Sequence, residues 1–434
     1  MKSFRISILF ISCIIMVMIA NLAYAGDGQI DILPNGSETF TISQPGSYIL
    51  TGNVTMTADR DCIEIKVDDV TLDLNGCVIT GFSGSSHGVK GDSADGISVR
   101  NGVIRDFGAG GIVLRDQCSV ENLKVTSCDT HGVKAGDNAR ILSVTVRQNF
   151  DDGIKVGSNS IVRHCIAEDN GGQGINLAGI TVGTYSTVQG CVCRGNKSGA
   201  TNENIDIYGI FASNSCVIQD NVCGDNTNST TNGGGRCIGI SAGDESVIRN
   251  NTCRSNRAFN QGTDVIGIYA EENCVIVNNT ASGNTANGAE GSSIGIICEN
   301  SCQVRDNICS NNNALGANSR GIGISGFSYN HIIENTCYDN EGKDYSIGIY
   351  ANGGGLRIQG NHCSRHSTAT NSYGVSLRNP TNNTLVIRNT CLSNDTDISM
   401  GNGNHYCAEN VTEDAIADTT GVTLGTGDRS NVTY

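Results

Sequence analysis

Lys134 and Lys155 each stand two residues after a glycine, in the phrases His131-Gly132-Val133-Lys134 and Asp152-Gly153-Ile154-Lys155. Asp129, His131, Asp151 and Asp152 fall at the adjoining turns. Ammonium groups attract carboxylates, and a lysine that releases its proton can abstract one beside a uronate carboxylate. Clustered aspartates offer the oxygen ligands that calcium takes. Lys134, Lys155, Asp151, Asp152 and His131 are therefore the candidate catalytic residues, and Asp129, Asp151 and Asp152 the candidate calcium ligands. A plainer reading stands beside this one. Asp and His suit turns, and lysine on an exposed strand is commonly a solvated charge.

What positions these residues is a repeat. A phrase such as Val247-Ile248-Arg249-Asn250-Asn251-Thr252-Cys253 alternates with a Gly-Ile or Gly-Val pair along most of the chain. The pairs begin at Gly111, Gly132, Gly153, Gly174, Gly209, Gly239, Gly267, Gly295, Gly323, Gly348 and Gly374. In eight of these copies the glycine lies 17 positions before a closing residue, usually Asn. The link to the next glycine takes up most of the length variation, 4 residues in the early copies and 8 to 13 later. A constant strand-bearing segment with one variable corner describes a coil of stacked rungs whose insertions stay on the surface. Side-chain alternation turns Ala212, Ala242 and Ala270 inward, with Cys223, Cys253 and Cys337 on a second strand. An inner column runs through Asn221, Asn251 and Asn279. The closing Asn residues suit the left-handed backbone of a corner, and their amides can bond the copies above and below.

This pattern, over roughly residues 47 to 400, resembles right-handed parallel β-helices of the pectate-lyase-like superfamily, including secreted bacterial members of unassigned activity. The opening Gln44-Pro45-Gly46-Ser47-Tyr48-Ile49-Leu50-Thr51-Gly52-Asn53 is similar to their N-terminal rungs. The resemblance implies an all-β, single-domain solenoid of about a dozen rungs. Residues 26–58 would form an N-terminal cap, 59–401 the repeats and 402–434 a C-terminal cap. It implies no single activity, because lyases, hydrolases, epimerases, tailspikes and binding-only proteins share the fold.

The outward column beside the glycines then reads Val113, Lys134, Lys155, Asn176, Phe211, Ser241, Tyr269, Ile297, Ser325, Tyr350 and Ser376. Its charged rungs have short corners and abut rungs with long ones, a step that makes a groove. Asn176, Phe211, Tyr269 and Tyr350 are the candidate substrate-binding residues, the aromatics offering stacking faces to sugar rings. The leading expectation is an extended polysaccharide or cell-surface glycan bound along this face. The alternatives are a polysaccharide lyase or hydrolase acting on a uronate-containing glycan, and a non-catalytic structural or surface-interaction rod. Phe150-Asp151-Asp152-Gly153-Ile154-Lys155 resembles the paired-aspartate stretch of polygalacturonases. The His-Gly motif that follows in that family precedes here, at His131-Gly132, and no Arg-Ile-Lys follows.

The ends and composition bound the setting. Lys2 and Arg5, the apolar run from Ile6 to Ile19 and Ala23-Tyr24-Ala25 read as a cleavable secretory signal over residues 1–25. The protein is thus expected to be secreted, periplasmic or on the cell surface, with no membrane span in the mature chain. A formal charge of -15 argues against nucleic acid as a partner, which needs clustered basic residues. Of 20 cysteines, Cys13 lies in the signal. The other 19 are expected as buried thiols filling the core, with Cys298–Cys302 and Cys391–Cys407 as the two places for a bridge.

Overall fold

A computed structural model describes residues 28–172, 177–198, 205–230, 234–366, 370–378 and 383–401, and strand segments from 405 to 433. The secretory signal expected over residues 1–25 lies outside the described residues. The chain is an all-β parallel solenoid of about 13 turns in a single domain. Every rung repeats because each strand lies in parallel register on its counterpart in the next turn. Val217–Gln219 pairs with Val247–Arg249, which pairs with Val275–Val277. Strands beginning at the Gly-Ile pairs build a sheet of 16 strands, here the glycine face. The Val-Ile and Thr-Cys strands build the other two faces, joined into one sheet of 31 strands. The residues assigned to the caps enter the same ladder: Gln29–Ile32 pairs in parallel with Gly46–Leu50, and His405–Ala408 with Val422–Leu424. Among the described residues no helix is long and apolar enough to cross a membrane.

The interior is a stack of like on like. Cys309, Cys337, Cys363 and Cys391 are consecutive in register and fully buried. None of the 19 cysteines among the described residues is disulfide-bonded, so neither Cys298–Cys302 nor Cys391–Cys407 is bridged. Burial pushes the thiols of Cys62, Cys118 and Cys128 up to about 12, which leaves them uncharged and unreactive at neutral pH.

Two buried asparagine ladders hold the corners. The Asn279 amide donates to Ile248 O at 2.9 Å and Asn307 Oδ1 at 3.0 Å. Its own Oδ1 accepts from the backbone N and Nδ2 of Asn251. All four hydrogen-bonding positions of the side chain are thus filled. The second ladder runs from Asn149 through Asn170, Asn196, Asn226, Asn256, Asn284 and Asn312 to Asn340. The sequence reading put the closing Asn itself in the left-handed corner, and this is corrected. The left-handed residue is the one before it, as at Asp225 (φ 54°), Ser255 (φ 56°) and Asn311 (φ 54°). That turn throws the following Asn side chain inward.

A second correction concerns register. Ile154 pairs with Ile180, and Ile180 with Ile210, so the glycine of this rung is Gly179 rather than Gly174. Gly179 lies 17 positions before Asn196, so the apparent exception was a misplaced glycine. Gly174-Ile175 looked equivalent only because its dipeptide matches.

His366 replaces Asn in the second ladder. It is fully buried, its Nε2 has no hydrogen-bond partner, and burial lowers its pKa to about 4. Its folded pKa lies below the ordinary value of 6.5, so the unfolded chain binds its proton first. The stability it contributes is present above about 6.5 and is lost as pH falls through about 4. His366→Asn should therefore be more stable than the parent, and the difference should grow by about 2 kcal/mol from pH 8 to pH 5. Denaturant midpoints at the two pH values measure this, and a pH-independent difference would contradict it. Alkylation of the folded protein near neutral pH should label Cys77, the single half-buried cysteine, and spare the other 18 until denaturation.

Candidate functional site

Glycine in the middle of a strand weakens it unless backbone must approach closely. Here it must. A Cβ on Gly132 would lie 2.8 Å from the carbonyl oxygen of Gly153, and one on Gly153 2.7 Å from that of Gly179. The strand bends at this column, and the bend interrupts the alternation of sides. The residue before each glycine and the residue two after it both face outward. Ala178, Tyr208, Ile238 and Ile266 accordingly form a cluster separate from the core, with Phe211, Tyr269 and Ile297 packed on it. Tyr208 and Phe211 meet edge to face at 5.1 Å between ring centroids. Two outward columns thus line one shallow groove down the glycine face.

The sequence-predicted catalytic residues come together in this groove. His131 and Asp152 stand before the glycines of successive rungs, and Lys134 is in register with Lys155. Nδ1 of His131 lies 3.4 Å from Oδ2 of Asp151, in ion-pair range but off hydrogen-bond geometry, which leaves that nitrogen without a hydrogen bond. Burial lowers the His131 pKa, and Lys155 and Lys134 add to this against the raising effect of Asp151. The ring is therefore neutral at pH 7. Asp152 is buried, accepting from Ala178 N at 2.7 Å and Thr181 Oγ1 at 3.2 Å, with Lys155 Nζ 3.6 Å away. Desolvation outweighs these partners and raises its carboxyl to about 6.

Ligand atoms of His131, Asp151 and Asp152 lie within 4.8 Å of one another. Asp129, the third oxygen donor expected from the sequence, is exposed and outside this group. One imidazole and two carboxylates fall short of the six to eight oxygens calcium takes, and the Lys155 ammonium already faces Asp152. The residues present do not fit calcium. An N,O,O set would suit a first-row transition ion better.

Of the expected substrate-binding residues, Phe211, Tyr269 and Tyr350 are half-buried in the groove. Asn176 lies outside the described residues, and the register gives its place in the column to Thr181, between Lys155 and Phe211. The wall expected beside the groove begins where the corners lengthen. Lys197–Ser198 starts a six-stranded sheet that continues to Glu341–Gly342. Further along, a recess of about 370 Å³ opens over Tyr269, Ile294, Ile297 and Tyr350, flanked by Arg236 and Arg320. Arg236 is bound to Asp206 at 2.7 Å and sits 5.4 Å over the Tyr269 ring. Tyr269 in turn donates to Glu299 at 2.8 Å.

Sequence reasoning missed two parts of this site. The column before the glycines was missed because strict alternation turns it inward; the glycine column itself was the available signal. The earlier phrase His87-Gly88-Val89-Lys90 was missed because the glycine count began at Gly111, although it repeats His131-Gly132-Val133-Lys134 letter for letter. His87 Nδ1 lies 2.8 Å from Asp61 Oδ1, and Lys90 Nζ 3.8 Å from Asp61 Oδ2.

Among solved structures, similarity extends to the A-module of the Azotobacter vinelandii mannuronan C-5 epimerase AlgE4, at 15% identity and a TM-score of 0.29, covering 90% of this chain and 91% of that one. A mutant tailspike protein of E. coli bacteriophage HK620 in complex with pentasaccharide matches at 14% identity and a TM-score of 0.31, covering 92% and 72%. No curated protein matches. Residues 40–181, which hold both histidine phrases, match the family model for the right handed beta helix region, and the chain is a right-handed parallel β-solenoid.

Proposed function

We propose that the protein binds an extended polysaccharide along the groove of the glycine face, outside the cytoplasm after removal of residues 1–25. The observation that carries this reading is the continuity of one outward column. One column runs without a break in register from Lys134 and Lys155 through Thr181 and Phe211 to Tyr269. Cations lie at one end of it and half-buried aromatic rings at the other. Rungs about 4.8 Å apart present these groups at regular intervals, which suits a polymer better than a compact ligand. The double variant Lys134→Ala/Lys155→Ala and the single variant Tyr269→Ala should each weaken retention on acidic polysaccharide gels by tenfold or more in dissociation constant. Unchanged retention in both would sink the reading.

A second reading has its own observation, the pairing of His131 with Asp151. A neutral imidazole beside a carboxylate that can orient it has the arrangement of a general base and its positioning group. Asp152 is too buried to reach a polymer, so its part would be to place Lys155. In this reading uronate polymers incubated with the protein yield unsaturated or reducing ends. Burial and the two lysines hold His131 below the ordinary imidazole value, so the rate should fall only as pH drops below about 6.5. His131→Ala should then abolish product. Absence of product from a panel of uronate polymers would leave binding without chemistry.

A further inference from the structure

A third outward column stands at the entry to the glycine-face strands, beside the aromatic half of the groove. It reads Asp206, Arg236, Asp264, Ser292, Arg320 and Tyr345, on strands that pair in register from one rung to the next. Its charges do not pair evenly. Asp206 and Arg236 hold each other at 2.7 Å. Asp264 and Arg320 stand two rungs apart, about 10 Å, with Ser292 between them. Among the described residues neither of these two forms an ion pair. Asp264 accepts from Ser292 N at 2.7 Å, and burial raises its carboxyl against that bond and the two guanidinium groups. Arg320 is exposed, its guanidinium 5.6 Å from the centre of the Tyr345 ring.

Both groups border the recess of about 370 Å³. That volume lies within the range of clefts that hold small ligands. Rings close its two ends. Tyr269, Ile297, Ser325 and Tyr350 follow one another in register, so the tyrosines stand three rungs, about 14 Å, apart. The smaller Ile297 and Ser325 lie between them, and buried Ile294 and Ile322 complete an apolar floor. The side opposite Asp264 and Arg320 is acidic. Asp244, Glu271, Glu272 and Glu299 line an adjoining hollow with Tyr269, and among the described residues none of the four is ion-paired. Burial, then Asp244, Glu299 and Glu272, raise the Glu271 carboxyl.

These charges restrict what the recess can hold. A uronate drawn to Lys134 and Lys155 would be repelled here by four carboxylates. A cationic unit would face Arg320 and give up water over an isoleucine floor. What remains is an uncharged unit that offers a donor to Asp264, an acceptor to Arg320 and an apolar group to the floor. An acetamido substituent carries all three, as its N–H, its C=O and its methyl. A plain hexose lacks the methyl, and an O-acetyl ester lacks the N–H.

We infer that the recess between Tyr269 and Tyr350 takes an N-acetylated amino sugar, its N–H donated to Asp264 and its carbonyl accepting from Arg320. This deepens the polysaccharide reading and rests on it. The polymer is then a mixed one, with acidic units over the lysine rungs and acetamido units over the aromatic rungs.

Binding of the full chain is measured to heparosan and unsulfated chondroitin, which alternate a uronate with an N-acetylated hexosamine. The comparison polymers are their N-deacetylated forms and polygalacturonate, which has no amide. The parent protein should hold at least one acetylated polymer about tenfold or more tightly than its deacetylated form and than polygalacturonate, because a site built around an amide rejects a unit that lacks it. Attraction to the lysines alone would favour polygalacturonate instead. Asp264→Asn can still accept from Ser292 N but presents an NH2 group in place of the second acceptor. Arg320→Met keeps the stem and loses the donors. Each should remove the preference while leaving the unfolding midpoint unchanged. Polygalacturonate or a deacetylated polymer bound as tightly as the acetylated ones would overturn the acetamido assignment and leave the polysaccharide reading standing. A parent-like preference in both variants would also overturn it. Binding to none of the polymers would overturn both.

Discussion

An asparagine amide buried away from water must find partners for two donor hydrogens and two acceptor lone pairs. In this protein it finds them in the asparagine above, the asparagine below and two backbone groups, as Asn279 does. Leaving any of these unmade costs about 1–3 kcal/mol. No single rung can satisfy its own amide, so an asparagine within a ladder is fully paired only between two rungs that carry a partner at the same place. That requirement accounts for the repetition more directly than the hydrophobic interior does. Isoleucine, valine, alanine and cysteine exchange freely along the inner columns. The ladders begin at Cys128 and Cys191, whose backbone N–H groups donate to Asn149 and Asn221, and within the second ladder His366 replaces an asparagine at the cost of an unpartnered nitrogen.

From Asn221 onward two ladders at separate corners fix both the height and the rotation of the turns, and from Asn149 to Asn196 one ladder does so alone. The segment between glycine and closing residue therefore holds at 17 positions over most rungs, and insertions collect at the third corner, where no ladder runs. The glycine face adjoins that corner. Its backbone is as rigid as the rest, because each glycine rests on the carbonyl of the next, while the two outward columns beside it carry no load. Residues there can change from rung to rung without disturbing the coil, and they do. The column before the glycine passes through His, Asp, Ala, Tyr and then Ile.

Much of this was legible in the sequence, and what escaped shares one cause. Spacing located the rungs, the asparagine columns, the buried cysteines and the outward position of Lys134, Lys155, Phe211, Tyr269 and Tyr350. It failed at Gly174, where two Gly-Ile or Gly-Ile-like dipeptides lie five residues apart and only strand pairing selects Gly179. It failed again at His87, because that phrase lies before the repeat becomes regular. It misjudged the corner, because an Asn after a left-handed residue and a left-handed Asn look alike in a string. The pairing of His131 with Asp151 belongs to a third kind. It runs between rungs 21 residues apart, and periodicity says they are neighbours without saying which way either side chain turns.

Asp152 bears most directly on whether the groove is more than scaffold. Its carboxyl is raised to about 6 by burial, so at neutral pH it is ionised against that shift. A group whose folded pKa is raised favours the fold most below its ordinary value of 3.8, and this is lost as pH rises through about 6. At pH 7 the difference amounts to about 3 kcal/mol of stability forgone. The fold does not ask for this. Two rungs further on the same column carries Tyr208, and after it Ile238 and Ile266, all buried with no such penalty. Two backbone and hydroxyl donors hold Asp152 in place, and a lysine faces it. A carboxylate kept at that expense, on a column where isoleucine serves, makes sense if its charge positions Lys155 for something outside the protein.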